Sequence, residues 1–186
     1  MSDDSMSTTI LLKAVQFAAG KHQTRRRNDV GASPYINHPI EVAHLLAEVG
    51  EITDLATLVA AILHDTIEDT ETTPGELEEQ FGSTVRKVVE EMTDDKTKEK
   101  LERKQLQIEH APTLTRRAKA IKLADKIANT RDVIANPPPK WPLARRIEYL
   151  DWTEKVVAGC RGTNDALERH YDDVLKKGRA ALMPLR

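Results

Sequence analysis

Four ionisable side chains fall within six residues of one another, at His64, Asp65, Glu68 and Asp69. They follow the apolar run 58–63, and a helix that is apolar on all faces is a buried one. Charges at the end of a buried helix are costly unless they pair or bind a metal. His64 and Glu68 are four residues apart, as are Asp65 and Asp69, so the spacing predicts two adjacent columns on one side of a helix. The alternative is a helix end exposed to solvent, although acids there oppose the helix dipole unless a cation, such as a divalent metal, compensates.

A complete metal site needs further ligands, and His38 and Asp125 are the candidates. His38 stands at the start of a predicted helix, after a loop. Asp125 lies in residues 121–128, which are mostly apolar and predict a helix that faces the core. Each is weak evidence alone, because histidines are mostly structural and a buried aspartate is often a cap or the partner of a basic residue. Together with His64 and Asp65 they make a mixed nitrogen and oxygen set that leaves water positions open and suits Mn²⁺, Fe²⁺ or Zn²⁺ better than Ca²⁺.

The elements that position these residues are predicted to be helices almost throughout. Apolar residues recur with a helical period, and Thr73, Ser83 and Thr163 are predicted caps. We find no alternating strand pattern, no internal repeat and no sustained heptad, so the predicted fold class is all-α, a compact helical bundle. The charged stretch 94–104 is predicted to be a solvated helix face with ion pairs between residues four apart. The predicted helices span approximately 8–18, 39–50, 53–67, 74–82, 83–92, 114–134, 142–160 and 164–177.

Composition limits the organisation of the chain and its partners. A chain of 186 residues with 39% hydrophobic residues is predicted to form a single domain over 1–186, with a core from about 8 to 178. The 28 basic and 30 acidic residues give a net charge of −2, which argues against nucleic acid as a partner. Asp3 and Asp4 do not fit a secretory signal, no apolar run is long enough to cross a membrane, and the single Cys160 fits a reducing compartment. We therefore expect a cytoplasmic protein without membrane association.

Three segments, taken in order, resemble a known family. The succession of His38, then His64-Asp65, then Asp125 resembles the signature of the HD superfamily of metal-dependent phosphohydrolases. The longer segments resemble the (p)ppGpp hydrolase domain of the RelA/SpoT alarmone proteins. From about residue 10 to about 177 the chain is similar to the small alarmone hydrolases, which include the metazoan SpoT homologue. The three segments are Tyr35-Ile-Asn-His-Pro-Ile, His64-Asp-Thr-Ile-Glu-Asp-Thr and Lys122-Leu-Ala-Asp-Lys-Ile-Ala-Asn-Thr-Arg-Asp.

This resemblance implies an HD-domain helical bundle with a specific reaction. The reaction is removal of the 3′-pyrophosphate of guanosine tetra- or pentaphosphate, (p)ppGpp, the alarmone of the stringent response, to give GDP or GTP. One divalent ion, Mn²⁺, is the implied cofactor, since a metal lowers the pKa of bound water and polarises a phosphoryl oxygen. Glu68 and Asp69 are implied to orient and deprotonate the attacking water. The implied metal ligands are His38, His64, Asp65 and Asp125.

Substrate contacts are implied at three further positions. Arg27, in the basic run 25–27, matches a family arginine that stacks on the base, although charge patterning alone fits a solvated cluster equally well. Asn129 matches a family asparagine that contacts the ribose and phosphate, and the alternative is a polar residue on an exposed helix face. Lys100 is a candidate contact to the 5′-phosphate. Asn28 stands where the family often has lysine, which changes the charge at this edge of the pocket.

Three functions are open at this point. The first is metal-dependent hydrolysis of (p)ppGpp. The second, suggested by Asn28, is a phosphohydrolase for another nucleotide with a 2′- or 3′-phosphate, such as NADPH or an adenine alarmone. The third is a catalytically silent nucleotide-binding module, which is disfavoured because no ligand or catalytic position is lost. The expected partner is in each case a small nucleotide, and an exposed apolar helix face leaves a homo-oligomer open.

Overall fold

The computed structural model describes residues 3–182, and within this range it is helical and contains no β-strand. The predicted all-α class is confirmed. No helix among these residues is long and apolar enough to cross a membrane. The helices are α1 (Asp3–Lys21), α2 (Asn37–Glu48), α3 (Leu55–Leu63), α4 (Thr66–Asp69), α5 (Pro74–Phe81), α6 (Ser83–Met92), α7 (Lys100–His110), α8 (Arg116–Ala135), α9 (Leu143–Ala158) and α10 (Asp165–Leu182), with a 3₁₀ turn at Ala111–Thr113 between α7 and α8.

Helix α8 is the axis of the bundle, because it packs against α2, α3, α6, α9 and α10. Every residue from 120 to 128 is buried, so the helix runs through the interior instead of along its surface. This stretch contains Lys122, Asp125 and Lys126. Charged groups at this depth are costly without partners or a ligand, so their positions call for a functional or a pairing explanation.

Helix α3 accounts for the abrupt change from apolar to charged residues. It packs against α1, α2, α6 and α8, and most of its residues are buried. The Asp54 side chain caps it by accepting a hydrogen bond from the backbone N–H of Thr57. The helix ends at Leu63, so the charged residues begin where the buried helix stops.

The predicted continuous helix through residue 67 is wrong, because His64 and Asp65 form a turn before α4. Two side chains compete for the carbonyl groups that a continued helix would use. Nδ1 of His64 lies 2.7 Å from the carbonyl oxygen of Ala61, and the hydroxyl of Thr66 donates to that of Leu63 at 2.7 Å. The two predicted columns on one helix face are therefore replaced by a turn that directs the side chains differently.

Caps at α5 and α6 match the sequence signals in part. The Thr73 side chain accepts a hydrogen bond from the N–H of Glu76 at the start of α5, as predicted. Gly82 ends α5 with a φ of 85°, a left-handed conformation that favours glycine. The predicted serine cap is wrong, since Ser83 is already the first residue of α6 and makes no capping hydrogen bond.

The start of α10 is capped by Asn164 instead of by the predicted Thr163. The side-chain oxygen of Asn164 accepts hydrogen bonds from the N–H groups of Ala166 and Leu167 at 3.1 and 3.0 Å. The Thr163 hydroxyl donates instead to the carbonyl oxygen of Cys160 at 2.6 Å. Helix α10 then packs along α8 and α9.

The charged stretch 94–104 is not a single solvated helix face. Residues 93–99 form a loop, and α7 begins only at Lys100. The backbone N–H of Asp94 donates to Oε2 of Glu68 at 3.1 Å, and Nη1 of Arg103 lies 3.8 Å from Oε1 of the same carboxylate. Part of the stretch therefore faces the charged residues that follow α3.

Candidate active site

The predicted metal ligands meet in one cavity of about 150 Å³, which we call the metal cavity. His38 is the second residue of α2, His64 follows the last residue of α3, and Asp125 lies in the middle of α8. Asp65 joins them from the turn after α3. His38, His64 and Asp125 are buried, with exposed fractions of 3, 2 and 6%. Core helices therefore hold the site.

The four side chains approach one another through single nitrogen or oxygen atoms. Nε2 of His38 lies 3.0 Å from Oδ1 of Asp125 and 4.0 Å from Oδ2 of Asp65. Nε2 of His64 lies 3.1 Å from Oδ2 of Asp65 and 3.8 Å from Oδ1 of Asp125. Ligand atoms that share one ion at roughly 2.0–2.2 Å lie about 3–4 Å from one another. His38, His64 and Asp65 can each offer one atom within 4.8 Å of the others, and such a group could hold a metal ion.

The tautomer of His64 is set by the backbone. Because Nδ1 lies 2.7 Å from the carbonyl oxygen of Ala61, Nδ1 carries a proton and Nε2 points to the other ligands. Nε2 is buried and has no described residue in hydrogen-bond geometry, although Oδ2 of Asp65 lies 3.1 Å away. A buried ring nitrogen without a hydrogen-bond partner requires an explanation, and a metal ion would supply the missing partner.

The pKa values of the two carboxylates of the metal cavity are lowered by their neighbours. Burial by itself would raise the pKa of Asp65, but the imidazoles of His64 and His38 hold that pKa below its usual range. Burial acts on Asp125 in the same way, and there Lys126 and His38 hold the pKa well below its usual range. Nζ of Lys126 lies 3.0 Å from Oδ2 of Asp125. Two imidazoles and two carboxylates form a ligand set that fits a divalent first-row metal ion.

Tyr35 orients Asp65, and sequence reasoning did not single it out. Its hydroxyl donates to Oδ2 of Asp65 at 2.6 Å. Its ring packs against His22 and His38, with centroid distances of 4.8 and 6.1 Å. Burial raises the pKa of the phenol, so the hydroxyl stays protonated and donates. The signal in the sequence that could have identified Tyr35 is its position three residues before His38.

Glu68 lines the metal cavity from α4. One carboxylate oxygen accepts a hydrogen bond from the Asp94 N–H, and the guanidinium of Arg103 lies near the other. Burial raises the pKa of Glu68 above its usual value. A carboxylate with a raised pKa accepts a proton more readily, which suits a general base.

Asp69, the other predicted catalytic residue, does not line the metal cavity. Its carboxylate pairs with Arg25 at 2.9 Å and with Lys96 at 2.6 Å. Arg25 also donates to the carbonyl oxygen of Asp69 and lies 5.1 Å from the ring centroid of Tyr35. The structure therefore places Glu68 and Asp69 in different surroundings, and Asp69 holds Arg25 against Tyr35.

A second cavity, of about 240 Å³, adjoins the first, and Tyr35 and Asn129 line both. Arg27 also lines it, and its guanidinium pairs with Asp132 and lies 3.4 Å from Oδ1 of Asn129. Asn129 in turn donates to Oδ1 of Asp125 at 2.6 Å. The structure thus brings Arg27 and Asn129 next to the metal cavity, and neither is a freely solvated side chain.

Lys100 lies apart from the other predicted site residues. It is the first residue of α7, it is exposed, and it lines neither cavity. Its charge acts on Lys104, whose pKa is lowered by burial and by repulsion from Lys100. The contact between Lys100 and a 5′-phosphate stays a prediction.

Besides Tyr35, five residues line the metal cavity without having been predicted, namely Met92, Asp94, Gln107, Lys122 and Lys126. Asp94 lies in the charged stretch 94–104 and Gln107 follows it. The composition of that stretch resembles a solvated surface. Lys122 lies three residues before Asp125 on the same helix. Side chains at this spacing are neighbours on a helix surface, so the position of Lys122 was the signal that could have found it.

The HD domain family profile matches residues 14–150, which include the predicted ligands. The guanosine-3′,5′-bis(diphosphate) 3′-pyrophosphohydrolase MESH1 of Xenopus tropicalis is 52% identical to the chain over 168 residues, which cover 90% of this chain and 94% of the relative. The human protein of the same name is 51% identical over 167 residues, with coverage of 90% and 93%. The similarity therefore extends along nearly the whole of both chains.

Two solved structures are similar to the fold. One, described as a metazoan ortholog of SpoT that hydrolyzes ppGpp, has a TM-score of 0.88 at 45% identity and covers 90% of this chain and 94% of its own. The other, lmo0812 from Listeria monocytogenes EGD-e, has a TM-score of 0.62 at 27% identity, with coverage of 78% and 97%. The first match extends the sequence similarity to the arrangement of the helices.

Proposed function

Since the chain belongs to the HD domain family, we propose that it hydrolyses the 3′-pyrophosphate of (p)ppGpp to give GDP or GTP and pyrophosphate. The observation that carries the proposal is a single buried cavity that gathers two imidazoles and two carboxylates beside Glu68. Relatives that are about half identical over nine-tenths of the chain are named for this reaction. The chain is accordingly an enzyme, a pyrophosphohydrolase of the HD type.

The metal ligands proposed for this reaction are His38, His64, Asp65 and Asp125. When bound, a divalent ion there supplies Lewis-acid polarisation of a phosphoryl oxygen and activation of water. We propose Mn²⁺, because the mixed nitrogen and oxygen set suits it. Tyr35 holds the Asp65 carboxylate in place through its 2.6 Å hydrogen bond. Such a bond to a ligand fixes its orientation before substrate arrives.

Glu68 is proposed to accept the proton of the attacking water. It lines the cavity, its pKa is raised by burial, and the Asp94 N–H fixes one of its oxygens. The water oxygen bonds to the phosphorus that carries the ribose 3′-oxygen, and the bond between this phosphorus and the 3′-oxygen breaks. The 3′-oxygen takes up a proton, so one water is consumed for each GDP and pyrophosphate. Asp69 is proposed to act through Arg25, which it holds beside Tyr35.

The second cavity is proposed to receive the nucleoside. Arg27, Trp141 and Tyr149 line it and offer flat groups on which a purine can stack. Asn129 lines both this cavity and the metal cavity, which supports a contact between Asn129 and the ribose of a nucleotide whose 3′-phosphate faces the proposed ligands. The pairing of Arg27 with Asp132 supports this arrangement, because it limits the freedom of the guanidinium before binding.

We further propose that the whole chain acts as one domain in the cytoplasm on free nucleotides. Packing of α10 on α8 supports a single domain that extends past the matched region. The net charge of −2 supports a small nucleotide over nucleic acid as the partner. The buried, unpaired thiol of Cys160 supports a reducing compartment.

The test is hydrolysis of ppGpp by the metal-stripped chain, with and without added Mn²⁺, followed by analysis of the products. We expect GDP and intact pyrophosphate only when the metal is present. Dephosphorylation of NADPH or an adenine nucleotide with no cleavage of ppGpp would keep the metal site and change the substrate. No turnover of any of these nucleotides, despite bound metal, would favour a silent nucleotide-binding module.

A further inference from the structure

A third cavity, of about 180 Å³, meets the metal cavity through residues other than those of the second cavity. Asp94, Gln107 and Lys122 line both the metal cavity and the third cavity. The second cavity meets the metal cavity through Tyr35 and Asn129 instead. The metal cavity therefore adjoins two other cavities, of which the proposed function uses one.

Lys122 lies at the junction with the third cavity, where burial and repulsion from Lys126 lower the pKa of its ammonium group. Its exposed fraction is 5%, and its ammonium makes no hydrogen bond and no ion pair with any residue of the described range 3–182. Lys126, one turn further along α8, is equally buried but pairs with Asp125 and lies 4.5 Å from the ring centroid of Trp152. A buried charge without a partner is costly, so the ammonium of Lys122 has a donor capacity that the fold does not use.

Two other side chains at the same place, Arg103 and Gln107, each leave one buried polar atom without a hydrogen-bond partner, although both pair through their other atoms. Nε of Arg103 and Oε1 of Gln107 are buried and form no hydrogen bond with the residues that the structure describes. Arg103 and Gln107 both line the third cavity. Unpaired buried polar atoms in a native fold indicate a ligand or ordered water, and here the two nitrogen groups, on Lys122 and Arg103, are cationic.

The acids of the third cavity form no hydrogen bond or ion pair with Lys122 or Arg103 among the described residues, although the charge of Asp94 acts on Lys122 and opposes the lowering of its pKa. The carboxylate of Glu91 accepts hydrogen bonds from Thr115. That of Asp94 accepts one from Gln107, and that of Asp95 accepts from Thr97. Lys122 therefore lines the third cavity without an ion pair, and Arg103 lines it with a buried Nε that has no hydrogen-bond partner, while its Nη1 lies 3.8 Å from Oε1 of Glu68. Lysine binds phosphate as a compact point charge, and arginine offers several fixed donors.

We propose that Lys122, assisted by Arg103, binds the distal phosphate of the transferred pyrophosphoryl group and thereby selects substrates with a 3′-pyrophosphate. This inference rests on the proposed function. With the nucleoside in the second cavity and the reacting phosphorus at the metal ligands, the distal phosphate has to extend into the remaining space. The junction with the third cavity is where unused cationic donors lie.

The test compares Lys122→Met with Lys119→Met, a control on the same helix that lines none of the three cavities. At a fixed free Mn²⁺ concentration, inhibition by pyrophosphate and inhibition by GDP are measured along with ppGpp turnover. We expect inhibition by pyrophosphate to weaken roughly 10- to 100-fold in Lys122→Met, as for loss of a charge-assisted hydrogen bond. Inhibition by GDP stays within about twofold, since GDP lacks the distal phosphate.

A structural role for Lys122 gives a different result. Loss of a supporting lysine would weaken both inhibitors together and lower the melting temperature, whereas removal of an unpaired buried charge leaves that temperature equal or higher. Lys122→Gln provides a second variant if the methionine side chain prevents folding. If a folded variant is inhibited by pyrophosphate as strongly as the wild-type chain, the inference about Lys122 is overturned and the proposed function is not affected. Failure of the wild-type chain to cleave ppGpp overturns the proposed function instead.

Discussion

The metal cavity and the second cavity share Tyr35 and Asn129 but are built from different parts of the chain. The metal ligands come from the core helices α2 and α8 and from the end of α3. The second cavity is lined on one side by residues 25–29, which lie in the loop between α1 and α2. His38, His64 and Asp125 are buried, whereas the loop side chains are half-buried or exposed.

This difference indicates a division of tasks. Groups held by packed helices keep the fixed geometry that catalysis and metal binding require. Groups on a loop tolerate change and adjust, which suits recognition of a base and ribose. We therefore expect substitutions in the metal cavity to abolish turnover, and substitutions along the loop to alter the affinity for substrate.

The largest effect is expected for Asp65→Ala. The substitution removes a proposed ligand and the acceptor of the Tyr35 hydroxyl, so metal and activity are expected to be lost together. Loss of a residue that only orients a metal ligand costs up to about 100-fold in activity. Loss of the ligand itself should therefore lower turnover by more than about 100-fold. Metal content after dialysis and the rate of ppGpp hydrolysis are the measurements. The exposed Asp165→Ala serves as the control, and full metal-dependent turnover by Asp65→Ala would contradict the site.

Glu68→Gln should separate metal binding from chemistry within the metal cavity. The amide keeps the shape of the side chain but cannot accept the proton, so kcat is expected to fall by about 100- to 10,000-fold with metal retained. The exposed Glu71→Gln, three residues away, is the control. If Glu68→Gln lost its metal, Glu68 would belong among the ligands, and the distinction between the ligands and the base would be wrong.

Sequence reasoning worked best where local signals and burial agree. The abrupt change from apolar to charged residues at His64 and the apolar surroundings of Asp125 indicated buried charge, and both residues lie in the metal cavity. The turn at His64 and Asp65 was missed, because it depends on which carbonyl groups two side chains occupy. The hydrophobic periodicity of a sequence does not show which backbone carbonyl groups the side chains occupy.

Long-range pairing was a second limit on prediction from sequence. Asp69 has the same spacing argument as Glu68, but Arg25 and Lys96, both distant in sequence, pair with it outside the metal cavity. The charged stretch was interpreted as solvated, yet Asp94 contacts Glu68 because its loop folds back towards α4. Composition could not distinguish these residues from ordinary surface charges.

Arg27→Ala should test the second cavity. Removal of a stacking guanidinium is expected to raise KM for ppGpp about 10-fold, which corresponds to a loss of roughly 1.4 kcal/mol, with kcat changed by less than about threefold. Steady-state kinetics of the two parameters provide the measurement. An unchanged KM would mean that Arg27 serves only to pair with Asp132, and a parallel loss of kcat would show that the loop also affects the metal cavity.

The smallest effect is expected for Asn28→Lys, which restores the lysine often found at this position in the family. Asn28 is exposed and lines the second cavity, so the added charge should act as a surface interaction of about 0.2–1 kcal/mol. KM for ppGpp is then expected to fall by up to about fivefold at low salt, and the gain should vanish at high ionic strength. Asn28→Gln, which adds length without charge, is the control. A change in kcat that persists at high salt would mean that the loop is coupled to the ligands, and the contrast between a fixed metal cavity and an adjustable second cavity would fail.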